Sequence, residues 1–134
     1  MERRVKRLRS DRGAAAVEFA LVLPLLVALV LGIAEFGRAY NIQTTLSAAA
    51  RDGVRVMALQ NKPADARATA KASASPLLTL TDAQIAVTPT NCVTTAATPA
   101  ATATVTIKHE MNLMLFPDDF TVTLTGKGTM RCNG

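Results

Sequence analysis

The chain has 134 residues, about one domain's worth of sequence, and an apolar segment takes up part of that length. Its formal net charge of +5 is concentrated in residues 1–13, which hold six basic and two acidic side chains, so residues 14–134 are close to neutral. Basic runs also occur in nucleic-acid-binding proteins, but no aromatic residues interleave this one and an apolar segment follows at once. Composition therefore argues against a nucleic-acid-binding function.

Residues 14–34 form an apolar run in which Glu18 is the one charged side chain. As a helix this run would be roughly 31 Å long, close to the ~30 Å hydrocarbon core of a bilayer. A domain of ~100 residues can hardly surround such a helix, which argues against a buried core helix. The run is longer than the apolar core of a signal peptide and no small-x-small cleavage site closes it. It is therefore predicted to be a retained transmembrane helix, and the basic residues of 1–13 predict a cytoplasmic N-terminus and an exported C-terminal part.

The junction between the basic leader and the apolar run reads Arg12-Gly13-Ala14, with Glu18 and Phe19 shortly after. A carboxylate inside a membrane-length segment is costly and suggests a function. Cleavage after Gly13 would leave an ammonium group at Ala14, about one helical turn from Glu18, and both the ammonium and the helix dipole favour a carboxylate there. Physical reasoning leaves one alternative open, in which Glu18 only extends to the lipid head groups.

Beyond the membrane-length run, apolar residues recur at steps of three and four with polar residues between them. This pattern predicts an amphipathic helix over 35–60, continuous with the transmembrane helix because no proline interrupts residues 25–62. Gly37 is a candidate hinge. The apolar stripe of this helix consists of Ile42, Leu46, Ala49, Gly53 and Val56 or Met57. Such a stripe needs a covering surface.

Residues 61–134 predict a small exported α+β domain. Asn61-Lys62-Pro63 ends the long helix, and an Ala-rich second helix is expected over 64–74. Three later segments alternate with period two and predict strands, namely 83–89, 101–111 and 120–132. An antiparallel sheet lying on the amphipathic stripe would cover the apolar faces of both. The predicted fold class is therefore α+β: a single-pass membrane protein in which a long transmembrane-plus-amphipathic helix precedes a small C-terminal sheet.

Two cysteines, Cys92 and Cys132, lie in the predicted exported domain. In an oxidising compartment a disulfide between them would staple a core that is poor in aromatic residues. Two free thiols are the alternative, which export of the domain makes less favourable.

Residues that carry catalysis or bind metals form no recognisable pattern. His109-Glu110 begins like a zinc-protease motif, but Leu113 occupies the position of the second histidine, so His109 is predicted to be an ordinary strand residue. Gly126-Lys127-Gly128 lacks the flanks of a phosphate loop and predicts a bulge or bend in a strand. Asp118-Asp119 is assigned to a solvated turn between strands. No enzymatic activity, metal, cofactor or small-molecule substrate is expected.

Residues 12–55 combine four short motifs: Gly13 with Glu18-Phe19, Leu23-Pro24-Leu25, Glu35-Phe36-Gly37-Arg38, and Ala49-Ala50-Arg51-Asp52-Gly53. In this combination the segment resembles the N-terminal domain of TadE-like proteins, which are pilin-like proteins (pseudopilins) of bacterial tight-adherence, or Flp-type, pili. The C-terminal Met130-Arg131-Cys132 is also similar to the end of these proteins, and that similarity supports a Cys92–Cys132 bridge.

The resemblance implies cleavage after Gly13 by a prepilin peptidase, with Glu18 serving processing or subunit registration. It implies a non-enzymatic minor pilin or pseudopilin of the inner membrane that is needed for pilus assembly and supports surface adherence, biofilm formation and secretion. Expected partners are the membrane, the peptidase, the inner-membrane platform and other pilin-like subunits through helix 14–34, with a paralogue at the 42–57 stripe. Two alternatives are an unprocessed, membrane-anchored periplasmic binding module and, less favoured, an exported enzyme.

Overall fold

A computed structural model describes residues 2–99, 101–115 and 120–133, with the backbone alone for residues 2–12. The chain divides into two compact units, residues 1–36 and 37–134. The elements in chain order are helix α1 (Glu2–Gln60), helix α2 (Pro63–Ala74), a 3₁₀ helix (Asp82–Gln84), and strands β1 (Ile85–Thr88), β2 (Thr102–Asn112) and β3 (Thr121–Arg131). The predicted α+β class, with a long N-terminal apolar helix and a small antiparallel sheet, is confirmed.

Helix α1 begins earlier than predicted, at Glu2 and not near residue 14. The physical reason lies in composition, because residues 2–12 are rich in Arg, Lys, Leu and Glu, which favour helix, and contain neither proline nor glycine. Pro24 lies inside the helix and leaves the Ala20 carbonyl without its usual N–H donor. Membrane-spanning helices tolerate such a break in the hydrogen-bond ladder.

The second unit is built on a three-stranded antiparallel sheet in the order β1-β2-β3. Its centre is fixed by two rows of facing residues: Val105 lies between Val87 and Gly128, and Ile107 lies between Ile85 and Gly126. The ends of the three observed strands lie within one to two residues of the ends of the predicted segments. The first strand starts two residues later than predicted because the 3₁₀ helix Asp82–Gln84 occupies the start of that segment. The predicted turn at Asp118-Asp119 lies outside the described residues.

The core of the second unit forms where one face of the sheet covers α1 and α2. The α1 side is the predicted stripe, in which Leu46, Ala49 and Met57 have no exposed surface. Helix α2 contributes a row of small residues at every fourth position, Ala66, Ala70 and Ala74. The sheet contributes Ile85, Val87, Ala103, Val105, Ile107 and Met111. The sheet of the same chain covers this stripe, so the 42–57 surface is buried in this fold. The predicted contact of a paralogue with the stripe is therefore not available.

Gly126 and Gly128 lie in an unbroken part of β3 that pairs in regular register with β2, so the predicted bulge or bend is wrong. The two glycines instead allow the strand to lie directly on the backbone of α1. A Cβ atom at Gly126 would stand 2.3 Å from the Leu46 carbonyl oxygen, and one at Gly128 would stand 2.6 Å from that of Ala50. Close approach of another backbone is the other reason for glycine within a strand, and it applies here.

The opposite face of the sheet is polar and open to solvent. It is formed mainly by threonines on alternate positions of all three strands: Thr88, Thr102, Thr104, Thr106, Thr121, Thr123, Thr125 and Thr129. The alternation of Ala103, Val105 and Ile107 with threonines therefore predicted the two faces of β2 correctly.

Candidate functional site

The predicted processing site lies on one uninterrupted stretch of α1 in the first unit. Gly13, Ala14, Glu18 and Phe19 are all helical and exposed, and a Cβ atom at Gly13 would meet no heavy atom within 4 Å. Residues four apart lie on the same face of a helix, one turn along the axis. The helix therefore brings Ala14 and Glu18 to the same face, with Gly13 unpacked just before them.

The surface of α1 that follows this site is apolar on all sides. In the described part of the first unit the exposed large apolar residues are Val17, Phe19, Leu21, Val22, Leu23, Leu25, Leu26, Val27, Leu29, Val30, Leu31, Ile33 and Phe36. A helix that is hydrophobic all round is stable when it is buried in protein or in lipid, and the structure covers none of this surface. Among the described residues there is one helix long and apolar enough to cross a membrane, with a mean hydropathy of 2.6 in its most apolar window. This feature suggests a membrane anchor.

In the second unit, a disulfide joins Cys92 in the loop after β1 to Cys132 just past the end of β3. Cys92 is fully buried and Cys132 is 5% exposed. Two backbone hydrogen bonds fasten the same region: the Asn133 N–H donates to the Ala58 carbonyl of α1 at 2.9 Å, and the Cys132 N–H donates to the Ala101 carbonyl, just before β2, at 2.9 Å. The end of the sheet is thus joined covalently to the loop after β1 and by a backbone hydrogen bond to the end of α1.

Asn61 completes this junction, although its sequence context predicts only a helix end. Its backbone is left-handed, with φ of 53°, and its N–H donates to the Met57 carbonyl at 3.0 Å, which terminates α1. Its side-chain oxygen accepts a hydrogen bond from the Cys92 N–H at 2.6 Å, and its Nδ2 donates to Asn91 Oδ1 at 2.6 Å. An asparagine between a helix end and a proline is a signal for a left-handed cap, but nothing in the sequence indicates its tie to the disulfide loop.

A cavity of about 440 Å³ opens at the other end of the second unit, where α1 enters it. Its lining includes Arg38, Leu77, His109 and Asn112. The guanidinium of Arg38 donates a hydrogen bond to the Asn112 carbonyl, so it joins α1 to the end of β2. His109 is half-buried within β2, as predicted for a strand residue, and its Nδ1 atom is buried without a hydrogen-bond partner.

Among the described residues of the second unit, no charged side chain is fully buried. Lys71 and Asp82 form an ion pair at 2.8 Å, and the hydrogen bond and positive charge of Lys71 hold the pKa of Asp82 below its usual value. Among the described residues no group of three or more His, Cys, Asp or Glu side chains lies close enough to hold a metal ion.

Comparison with known proteins gives one positive result. The family model described as "TadE-like protein" matches residues 13–55. Neither curated proteins nor solved structures gave a match to the chain. The matched range starts at the predicted cleavage residue Gly13 and ends within the buried stripe of α1, so it covers about the N-terminal third of the chain. The resemblance predicted from the sequence is thereby confirmed, and residues 13–55 form a TadE-like segment.

Proposed function

We propose that the chain is a minor pilin or pseudopilin, anchored in the inner membrane and needed to assemble a tight-adherence (Flp-type) pilus, and that it thereby supports adherence and secretion. One observation carries the proposal: the TadE-like match coincides with a helix whose apolar surface is exposed on all sides and begins at the Gly13–Glu18 site. Such a surface can bind lipid in the membrane and the apolar helices of other subunits during assembly. The proposed role is non-enzymatic.

The proposed topology has residues 1–13 in the cytoplasm and the second unit exported. The distribution of basic residues supports this orientation, since six precede the apolar helix while only Arg38, Arg51 and Arg55 follow it closely. The Cys92–Cys132 disulfide supports it independently, because structural disulfides persist in oxidising compartments and are rare in the cytoplasm.

In the proposed processing step, a prepilin peptidase hydrolyses the peptide bond between Gly13 and Ala14. That bond lies within α1, so the helix must unwind locally before cleavage. Glycine makes this unwinding easier, because it is about 1 kcal/mol less favourable than alanine within a helix, and Gly13 has no packing contact to lose. The ammonium group formed at Ala14 would then lie one turn from the Glu18 carboxylate of its own helix. Glu18 could pair with that ammonium group or with the one of a neighbouring subunit.

Mass spectrometry of membrane-extracted protein tests the proposal, with and without a co-expressed prepilin peptidase. We expect the peptidase to remove residues 1–13 and leave Ala14 as the first residue. Gly13→Ala should reduce the cleaved fraction, while Gly32→Ala, a matched glycine of α1 that also lacks contacts, should leave it unchanged. An intact leader in cells that make the peptidase would disprove the processing step. Normal pilus assembly by both Glu18→Ala and Glu18→Gln would disprove registration through Glu18.

An unprocessed, membrane-anchored binding module is the second candidate. Its support is that α1 continues without a break through Gly13 and that the second unit contains the Arg38–His109 cavity. The same mass measurement separates the two candidates, because the binding module keeps residues 1–13 whether or not the peptidase is present.

A further inference from the structure

Exposed apolar side chains of the second unit are concentrated at one end. Among its described residues, eight large apolar side chains are exposed, and six of these lie around Arg38 and Asn112, a region referred to below as the Arg38 end. The six, with their exposed fractions, are Tyr40 64%, Leu77 49%, Met114 77%, Leu115 42%, Phe120 55% and Val122 36%. The burial pattern of β3 accounts for two of them, because Phe120 and Val122 lie on the apolar face of the strand beyond the part that α1 covers.

Hydrogen bonds and shared contacts place five of these residues together, and Tyr40 lies two residues after Arg38 on α1. The Arg38 guanidinium donates a hydrogen bond to the Asn112 carbonyl, and Met114 and Leu115 come two and three residues after Asn112 in the chain. The Leu113 N–H donates to the Phe120 carbonyl at 3.2 Å, which extends the pairing of β2 and β3. Val122 lies opposite Met111, which lines the same cavity as Arg38 and Leu77.

The two remaining exposed apolar residues lie at the opposite end of the unit. Leu59 follows Ala58, which accepts the hydrogen bond of Asn133, and Val93 follows the disulfide-bonded Cys92. They do not adjoin the Arg38 end. Exposed apolar residues scattered singly are ordinary on protein surfaces, whereas a group of them marks an interaction site.

We propose that the Arg38 end binds the surface of the lipid bilayer, with Met114, Leu115 and Phe120 entering the interfacial layer. Covalent continuity identifies the partner: Gly37 opens the second unit and is bonded to Phe36, the last exposed apolar residue of the first unit. A bilayer that holds residues 14–34 is therefore within a few residues of the Arg38 end. Tyrosine and other amphipathic aromatic residues favour this interfacial depth. The inference rests on the proposed anchoring of the apolar helix.

Among the described residues, the charges at the Arg38 end are compatible with this placement, while Asp118 and Asp119, which the sequence assigns to a solvated turn, lie outside those residues. Arg38 is half-buried with its guanidinium on a backbone carbonyl, and Glu110 is exposed at the cavity rim. Long charged side chains can keep their head groups in water or among lipid head groups while apolar neighbours enter the layer below. The surface therefore resembles the apolar side of a protein that lies on a membrane, with charged groups at its margin.

A single-tryptophan experiment tests the proposal, because the chain contains no tryptophan of its own. The full chain is reconstituted into phosphatidylcholine vesicles as three variants: Met114→Trp at the Arg38 end, Leu59→Trp at the opposite end, and Leu26→Trp in the apolar helix. Leu59→Trp is the matched control for Met114→Trp, since both side chains are more than half exposed in the original chain. Tryptophan emission is recorded with brominated phosphatidylcholine as a lipid quencher and with iodide as a water-soluble quencher.

We expect the emission of Met114→Trp to be blue-shifted, lost in brominated lipid and protected from iodide, while Leu59→Trp shows the reverse. If iodide quenches the emission of Met114→Trp and brominated lipid does not, the proposal is overturned. Protection from both quenchers that grows with the ratio of protein to lipid would also overturn it, because a second copy of the chain would then cover the surface. Leu26→Trp tests the anchor separately: if brominated lipid fails to quench it, the proposed anchoring fails whatever Met114→Trp reports.

Discussion

Replacing Gly126 with alanine tests the contact between β3 and α1. The added Cβ atom would stand 2.3 Å from the Leu46 carbonyl oxygen, whereas ordinary contact begins near 3.4 Å, so the strand and helix must separate by about 1 Å. A gap of this size forfeits roughly a quarter to a half of each van der Waals contact across the interface. Overpacking of this kind lowers the free energy of unfolding by about 1–3 kcal/mol, and the clash is with backbone, so we expect about 3 kcal/mol.

For a unit of this size, a loss of about 3 kcal/mol corresponds to a decrease in Tm of roughly 12–24 °C. The assay is thermal unfolding of the full chain in detergent, followed by the near-ultraviolet circular dichroism of its tyrosine and disulfide. Gly37→Ala is the matched control, because a Cβ atom there meets nothing within 4 Å and alanine favours helix, so its Tm should be unchanged or higher. If Gly126→Ala unfolds within a degree or two of the unsubstituted chain, the close contact with Leu46 does not support the fold as described.

Two further predictions concern polar contacts of the second unit. Asn61→Ala removes two side-chain hydrogen bonds and strains a left-handed backbone, so it should lower the free energy of unfolding by about 2 kcal/mol. Asn61→Gly should lower it less, because glycine adopts a left-handed backbone without strain. Denaturant titration compares the two variants, and equal effects would contradict the strain argument. Asp82 has a folded-state pKa below that of the unfolded chain, near ~3.9, so its contribution is present above that pH and is lost as the pH falls through the folded pKa. Thermal unfolding between pH 6 and 2 should therefore show a slightly steeper acid destabilisation for the original chain than for Asp82→Asn, and parallel curves would refute this role of the Lys71 pair.

The sequence predicted those features that depend on local pattern. The period of the stripe from Ile42 to Met57 identified the buried side of α1, and the alternation around Val105 identified the inner face of β2. Both predictions depended only on which side of one element is apolar. The TadE-like resemblance is likewise carried by closely spaced motifs of a single helix, and it is confirmed over residues 13–55.

Features that depend on contacts between distant residues were not predictable in the same way. The sequence around Gly126 and Gly128 predicts a bulge or bend, but a glycine in a strand has two explanations, and only the position of Leu46 and Ala50 decides between them. The start of α1 is not marked by the change from basic to apolar residues near Gly13, because that change reflects a change of solvent, while helix propensity is high on both sides of it. The grouping of Tyr40, Leu77 and Met114 at one end required the tertiary fold, since these residues are far apart in sequence.

The contact between α1 and the two glycines of β3 also sets the order in which the second unit can form. Leu46 is synthesised 80 residues before Gly126, its partner in the closest contact with α1. At the ~5–20 residues per second of translation, Leu46 is made roughly 4–16 s before the strand that covers it. Helix α2 can pack near Gly53 soon after α1 emerges, but the surface at Leu46 and Ala50 waits for β3, so the second unit is complete only after almost the whole chain has been made. During that interval the side of the stripe that β3 covers is exposed apolar surface, which is prone to aggregation until the strand is made.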